Sequence, residues 1–109
     1  TGGHWMKGAL VGKPASFFFS TATMGGGQET TAMLSISNLA HHGMIYVPIG
    51  YSNPKLMDMT EMHGGSAWGA GCLAGPDGSR QPSELERDVA THQGKYFGGV
   101  VSALVKGRQ

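Results

Sequence analysis

The residues best placed to do chemistry form one run, Ser20-Thr21-Ala22-Thr23-Met24-Gly25-Gly26-Gly27-Gln28, where hydroxyls and glycines separate an apolar stretch from a helical one. In open α/β sheets a loop leaving the carboxyl end of a strand is where ligands bind. Helix-terminal amides there favour an anion or a polarised carbonyl, and glycine lets backbone approach a flat ligand closely. The same composition also fits a tight turn whose Ser and Thr hydroxyls satisfy backbone groups, so residue types alone leave both readings open. Neither nucleotide-phosphate fingerprint is present: the run lacks a Gly-Lys-Ser/Thr ending, and no acidic ribose partner follows the next strand.

The other reactive side chains are more scattered. His41 and His42 close a predicted helix, where a cationic group complements the dipole. Neighbouring helical positions diverge by about 100°, so the pair does not make a metal face, and no metal site is expected. His4, His63 and His92 stand singly. No Gly-x-Ser-x-Gly elbow exists, and Cys72 follows neither a helix start nor a basic group, which argues against nucleophilic catalysis. Asp58, Glu61 and Asp77 lie in polar sequence where carboxylates are usually solvated. Trp5 reads first as a core or interface anchor, with a stacking wall for an aromatic ligand as the sharper alternative.

Around these residues the pattern predicts α/β structure. Residues 15–20, Ala-Ser-Phe-Phe-Phe-Ser, read as a strand buried on both faces. Residues 28–42 read as a helix, with Met33, Ile36, Leu39 and Ala40 on its apolar side and Gly43 as its stop. Residues 44–49, Met-Ile-Tyr-Val-Pro-Ile, form a second strand, and a strand-helix-strand unit pairs its strands in parallel. The chain thus divides into an entry segment (1–13), strand-helix-strand (14–50), a long Gly- and Met-rich loop (51–82) and a closing helix (83–106). Ser83 and Glu86 make a capping box for that helix, and Leu85, Val89, Tyr96, Val100 and Leu104 make its stripe. Gly98-Gly99 inside it predicts a kink or a close helix contact. Two parallel strands leave open edges and an uncovered face, so more sheet is expected from sequence elsewhere or from another chain.

Composition narrows the class. The 109 residues allow one small core, and 39% apolar against 14% charged residues fits neither disorder nor a membrane span. Eight basic against seven acidic residues, without a basic cluster, argue against nucleic acid and anionic membrane as partners. A single cysteine excludes an internal disulfide and fits a reducing, cytoplasmic setting. The opening Thr1-Gly2-Gly3-His4-Trp5 carries neither a signal region nor a helix start, and reads as the middle of a longer protein.

Several motifs occur in a fixed order: Thr1-Gly2-Gly3-x-Trp5, Gly8-Ala9-Leu10-x-Gly12-Lys13, Ser20-Thr21-x-Thr23-x-Gly25-Gly26-Gly27-Gln28-Glu29, Leu39-Ala40-His41-His42-Gly43-Met44 and Val47-Pro48-x-Gly50-Tyr51. They continue with Gly64-Gly65-Ser66-x-Trp68-Gly69-Ala70-Gly71, Ala74-Gly75-x-Asp77-Gly78-Ser79-Arg80-Gln81-Pro82 and Gln93-Gly94-Lys95. In this order and spacing the chain resembles the C-terminal half of the WrbA-type NAD(P)H:quinone oxidoreductases. The match covers nearly all of it, and a run such as Asp-Gly-Ser-Arg-Gln-Pro is far more specific than a glycine loop.

That resemblance implies a flavodoxin-like parallel sheet flanked by helices, FMN at its carboxyl edge, and ping-pong hydride transfer from NAD(P)H through the flavin to a quinone. It further implies a cytoplasmic homo-oligomer, dimer or tetramer. Ser20, Thr21, Ala22, Thr23, Met24 and Gly25 match the family loop lying against the FMN ring and ribityl chain. His41 matches its flavin-contacting histidine and Trp5 its substrate-pocket tryptophan. His4 stands where the family commonly has Leu, and Ala22 and Met24 where Gly or Gln is common, which bears on packing around the flavin. The family's FMN-phosphate loop and its Pro-Thr-Arg-type loop have no counterpart in these residues. Two other readings share the fold: a non-catalytic FMN-binding electron carrier or regulatory module, and an inactive fragment of the reductase.

Overall fold

Three phenylalanines in succession set the central strand. A computed structural model describes residues 2–109, so the Thr1 of the opening motif lies outside the described residues. The elements run α1 (Gly2–Met6), β1 (Pro14–Ala15), β2 (Phe17–Thr21), α2 (Gln28–His41), β3 (Ile45–Tyr46), a 3-10 turn (Pro54–Met57), β4 (Gly69–Leu73) and α3 (Glu84–Gly107). β1 pairs in parallel with β3, and β2 in parallel with β4. The chain is therefore α/β with parallel strands and flanking helices, as a partial flavodoxin-like fold requires.

The pairing is simpler than four strands suggest. β1 and β2 are one extended stretch interrupted at Ser16. Its neighbour is assembled from two pieces: β3 beside Pro14–Ala15, then β4 beside Phe17–Thr21, with residues 47–68 making an excursion between them. β4 falls inside the stretch expected to be loop. The Gly-Ala-Gly-Cys-Leu sequence of β4 has little strand propensity, and its glycines answer close approach instead. A Cβ at Gly69 would collide with the Phe17 carbonyl, and one at Gly71 with the Gln28 side-chain oxygen.

Burial on both faces of the Phe17–Phe19 strand is not met. Phe18 is 83% exposed while Phe17 and Phe19 are half-buried. Among the described residues no element covers the Phe18 face, and an apolar groove of about 600 Å³ lies between it and α3, lined in part by Phe18, Phe19 and Phe97. The face α2 turns inward is also shifted from expectation: Gln28 and Ala32 are buried, whereas Met33 and Leu34 are exposed. The core gathers at the other end of the sequence, where Ile49, Leu56, Ala70, Leu85 and Val89 bring the excursion, β4 and α3 together.

The two long helices end as their sequences dictate. Gly43, at φ 68°, takes the left-handed position after α2. The Gly43 and Met44 amides donate to the Ala40 and Leu39 carbonyls, a Schellman closure. The expected capping box opens α3: the Glu86 amide donates to Ser83 Oγ, and the Ser83 amide donates to the Glu86 carboxylate. α3 then runs unbroken through Gly98-Gly99, and no described atom outside the helix lies within 4 Å of a Cβ built at either. The predicted close contact at that pair is not made among the described residues. α1 was not predicted; it carries no buried residue.

Candidate functional site

Residues 20–27 leave the carboxyl end of β2 and lead into α2. Thr21 Oγ1 donates to the Thr23 carbonyl at 2.8 Å, and the Gly26 amide donates to that same oxygen at 3.1 Å, so a tight turn spans 23–26. A side chain at Gly26 would meet Thr21 Cβ at 2.8 Å and the Thr23 carbonyl oxygen at 3.0 Å, whereas Gly25 faces open space. Gly27 caps α2 with φ 96° and supplies no side chain to the helix amides. The amides of Thr23, Met24 and Gly25 meet no acceptor among the described residues. The result is an exposed, internally hydrogen-bonded turn with unpartnered backbone donors beside a helix N-terminus.

Behind the loop stands Gln28, which is buried. Its Nε2 donates to Thr21 Oγ1 at 3.1 Å and to the Cys72 carbonyl at 3.0 Å, while its Oε1 accepts from the Gly65 amide at 2.9 Å. One amide thereby links the loop, β4 and the end of the excursion. Glu86 is the second such strut. It is 3% exposed, and its carboxylate accepts from the amides of Gly64, Leu73 and Ser83 and from Arg80 at 2.8 Å. Burial pushes the Glu86 carboxyl up, but the Ser83 and Gly64 amides and the Arg80 guanidinium outweigh it and hold it below its usual range. Gln93 is the third, accepting from the Ala70 amide and donating to Ser16 Oγ and the Phe17 carbonyl.

The excursion is fastened to α2 as well. The Trp68 indole N–H donates to Glu29 in the first turn of α2, Tyr46 Oη donates to the Trp68 carbonyl, and the two rings stack with centroids 6.3 Å apart. Burial raises the Tyr46 hydroxyl pKa. Asp58 and Asp77 each close a local turn: hydrogen bonds from Thr60 and Ser79 respectively hold them below the usual carboxylate range. Ser52 and His92 meet at 2.7 Å, yet the Ser52 hydroxyl donates to the Ile49 carbonyl, so the histidine is the donor, the reverse of a nucleophile and its base. No group of three His, Cys, Asp or Glu that could hold a metal gathers among the described residues. No described helix is long and apolar enough to cross a membrane.

His41 and Trp5 come together, but not at this loop. They line one shallow pocket of about 500 Å³ with Met6, Val11, Ala40, His42 and Gly43. His41 Nδ1 sits 2.7 Å from the Ser37 carbonyl, a bond to the preceding turn, and Trp5 is 54% exposed. The buried Nδ1 of His42 has no partner among the described residues. The pocket is at the carboxyl end of α2 and the Ser20–Gly25 loop at its amino end. A helix of 14 residues separates them by about 21 Å. The expected site residues thus fall into two groups, Ser20 to Gly25 and Trp5 with His41. Gln28, Trp68 and Glu86 were not singled out as site residues; the signals were a polar side chain opening a helix after an uncapped glycine, and a capping-box glutamate.

No protein-family model matches the chain. Among curated proteins it is 58% identical over 97 residues to the NAD(P)H quinone oxidoreductase PST2 of Candida albicans, an alignment of 89% of this chain and 48% of that protein. To the quinone-oxidoreductase QR2 of Triphysaria versicolor it is 56% identical over 105 residues, 95% of this chain and 51% of that protein. To Protoplast secreted protein 2 of Saccharomyces cerevisiae it is 61% identical over 99 residues, 89% and 50% respectively. The chain spans about half the length of these relatives.

Proposed function

We propose that this chain forms the flavin-edge and quinone-pocket part of an FMN-dependent NAD(P)H:quinone oxidoreductase of the WrbA type, acting as a homo-oligomer. The carrying observation is the Thr21–Gly26 turn, which presents unpartnered backbone amides at the carboxyl edge of a parallel strand. Support comes from relatives at more than half identity, one named for NAD(P)H and quinone and one for quinone. The residues fit FMN in part. Amide donors, an open Gly25 and the absence of side-chain bulk at Gly26 suit the polar edge of a flat ring and its ribityl chain. No described residue is proposed for the FMN phosphate.

When bound, FMN supplies the redox chemistry, accepting a hydride from NAD(P)H and passing two electrons to a quinone in ping-pong order. The protein's contribution is placement. The Thr23, Met24 and Gly25 amides would donate to the polar edge of a bound flavin, and the Thr21–Thr23 hydrogen bond fixes the turn that carries them. Ser20 and Ala22 would flank that edge. Trp5 offers a flat apolar wall for a quinone, and His41 a ring nitrogen able to donate to its carbonyl or to the flavin.

The separation of the two groups along α2 supports a shared site. On this reading one flavin does not reach both groups in the same subunit, and the Trp5–His41 pocket of one copy would close over the Ser20–Gly25 loop of another. Subunit mixing tests this reading. A variant lacking the pocket (Trp5→Ala with His41→Ala) and a variant with a filled loop (Gly25→Val) are each expected to reduce quinone poorly. Their mixed oligomers should regain activity, with parallel initial-rate lines when NADPH and quinone are varied. Intersecting lines contradict the ping-pong order, and mixed oligomers no more active than the parents contradict the shared site.

A carrier or regulatory module would use the same loop without the Trp5 pocket. The pairing of Trp5 with His41 in one cavity favours the enzyme.

A further inference from the structure

We infer that Gln28 is a positioning residue of the flavin-edge loop, transmitting the state of the excursion's end at Gly65 to the Thr23–Gly25 donors. The inference rests on the flavin reading proposed above for what the loop binds, while the coupling itself rests on hydrogen bonds within this chain. Those bonds form one directed chain. The Gly65 amide donates to Gln28 Oε1, Gln28 Nε2 donates to Thr21 Oγ1, and Thr21 Oγ1 spends its single proton on the Thr23 carbonyl. A hydroxyl has one proton, so acceptance from Gln28 orients Thr21 toward Thr23. The Thr23 carbonyl, held also by the Gly26 amide, fixes which way the following peptide groups face.

The neighbouring sequence makes room for this amide. A Cβ at Gly71 would collide with Gln28 Oε1 and stand 2.6 Å from the Gly65 nitrogen, and one at Gly64 would lie 2.8 Å from the Gly71 carbonyl carbon. Gly64 and Gly71 are themselves buried. Leucine at 28 would fill the volume and satisfy none of the three partners. Glutamate would still accept from Gly65, yet as a carboxylate it could donate neither to Thr21 nor to the Cys72 carbonyl; protonation returns one donor.

The test compares Gln28→Leu, Gln28→Glu and Thr21→Val with the unmodified protein by FMN titration and by amide hydrogen exchange. Gln28→Leu is expected to weaken FMN binding by about tenfold or more and to speed exchange at the Gly26 and Gly65 amides. Thr21→Val should do the same to FMN, and the double variant should lose little beyond either single one, because both break the same chain. Gln28→Glu should recover FMN affinity relative to the unmodified protein as pH falls through the carboxyl range, a response that a purely structural residue would not give. Unchanged FMN affinity with unchanged Gly26 protection in Gln28→Leu overturns the inference, as does full additivity with Thr21→Val. If Gln28→Leu fails to fold, Thr21→Val and Gln28→Glu carry the comparison. If the unmodified protein takes up no FMN, the flavin reading falls, and exchange at Gly26 alone decides whether Gln28 holds the loop.

Discussion

The two ends of α2 are built in opposite ways. At its amino end, two buried polar side chains, Gln28 and Glu86, cross-link the loop, β4, the excursion and α3 through partners far apart in sequence. At its carboxyl end, Trp5, Met6, Val11 and His41 lie exposed around a shallow pocket, and α1 buries nothing. A ligand-facing turn that must aim donors needs its geometry fixed within the chain, because hydrogen-bond strength falls steeply with misalignment. A pocket wall that, on the proposed shared site, would meet its ligand across a subunit boundary does not. Rigidity here marks where donors are aimed, and exposure marks where a partner is expected.

Substitutions should separate the two ends sharply. The largest effect is expected of Glu86→Ala, which strands the buried Gly64 and Leu73 amides, uncaps Ser83 and removes the Arg80 ion pair; unfolding by denaturant should show a loss of about 3–5 kcal/mol. Acid should weaken the same region. Glu86 is held below its ordinary value of 4.5, so the stability it adds is fully present above that value and is lost as pH falls through its lowered folded-state pKa. A melting series from pH 6 downward should show that decline, and Glu86→Gln should flatten it. Gly71→Ala drives a methyl against the Gln28 amide and the Gly65 nitrogen, and should cost about 1–3 kcal/mol by the same unfolding assay. At the other end, Trp5→Ala should change the stability of the isolated subunit by no more than about 0.5 kcal/mol, while lowering kcat/KM for quinone. A Trp5→Ala subunit as destabilised as Glu86→Ala would erase the contrast.

The sequence was legible where local chemistry decides structure. The strand at the three phenylalanines, the α2 stop at Gly43 and the Ser83–Glu86 capping box follow from propensity and capping, and the structure has each of them. β4 was not legible, because Gly69 and Gly71 look like loop until the Phe17 carbonyl and the Gln28 amide are seen against them. Met33 resisted for a similar reason: helical spacing marks an apolar stripe but not which part of it the sheet covers, and Gln28 and Ala32 hold that place. Composition isolated the Ser20–Gly25 loop, whereas Gln28, which holds Thr21, is itself held by Gly65 and Cys72, 37 and 44 residues further along, and meets them only through folding. Trp5 and His41 share a cavity because the entry segment folds back onto the end of α2, where the Gly12 amide donates to the Gly43 carbonyl.

Anaerobic titration of the purified protein with FMN, followed by NADPH and then quinone, bears most directly on the central claim. A bound flavin spectrum that bleaches with one equivalent of NADPH and returns on adding quinone is the predicted result, with the Gly25→Val protein failing at the first step. A protein that binds no FMN, or one whose bound flavin NADPH leaves oxidised, would contradict it.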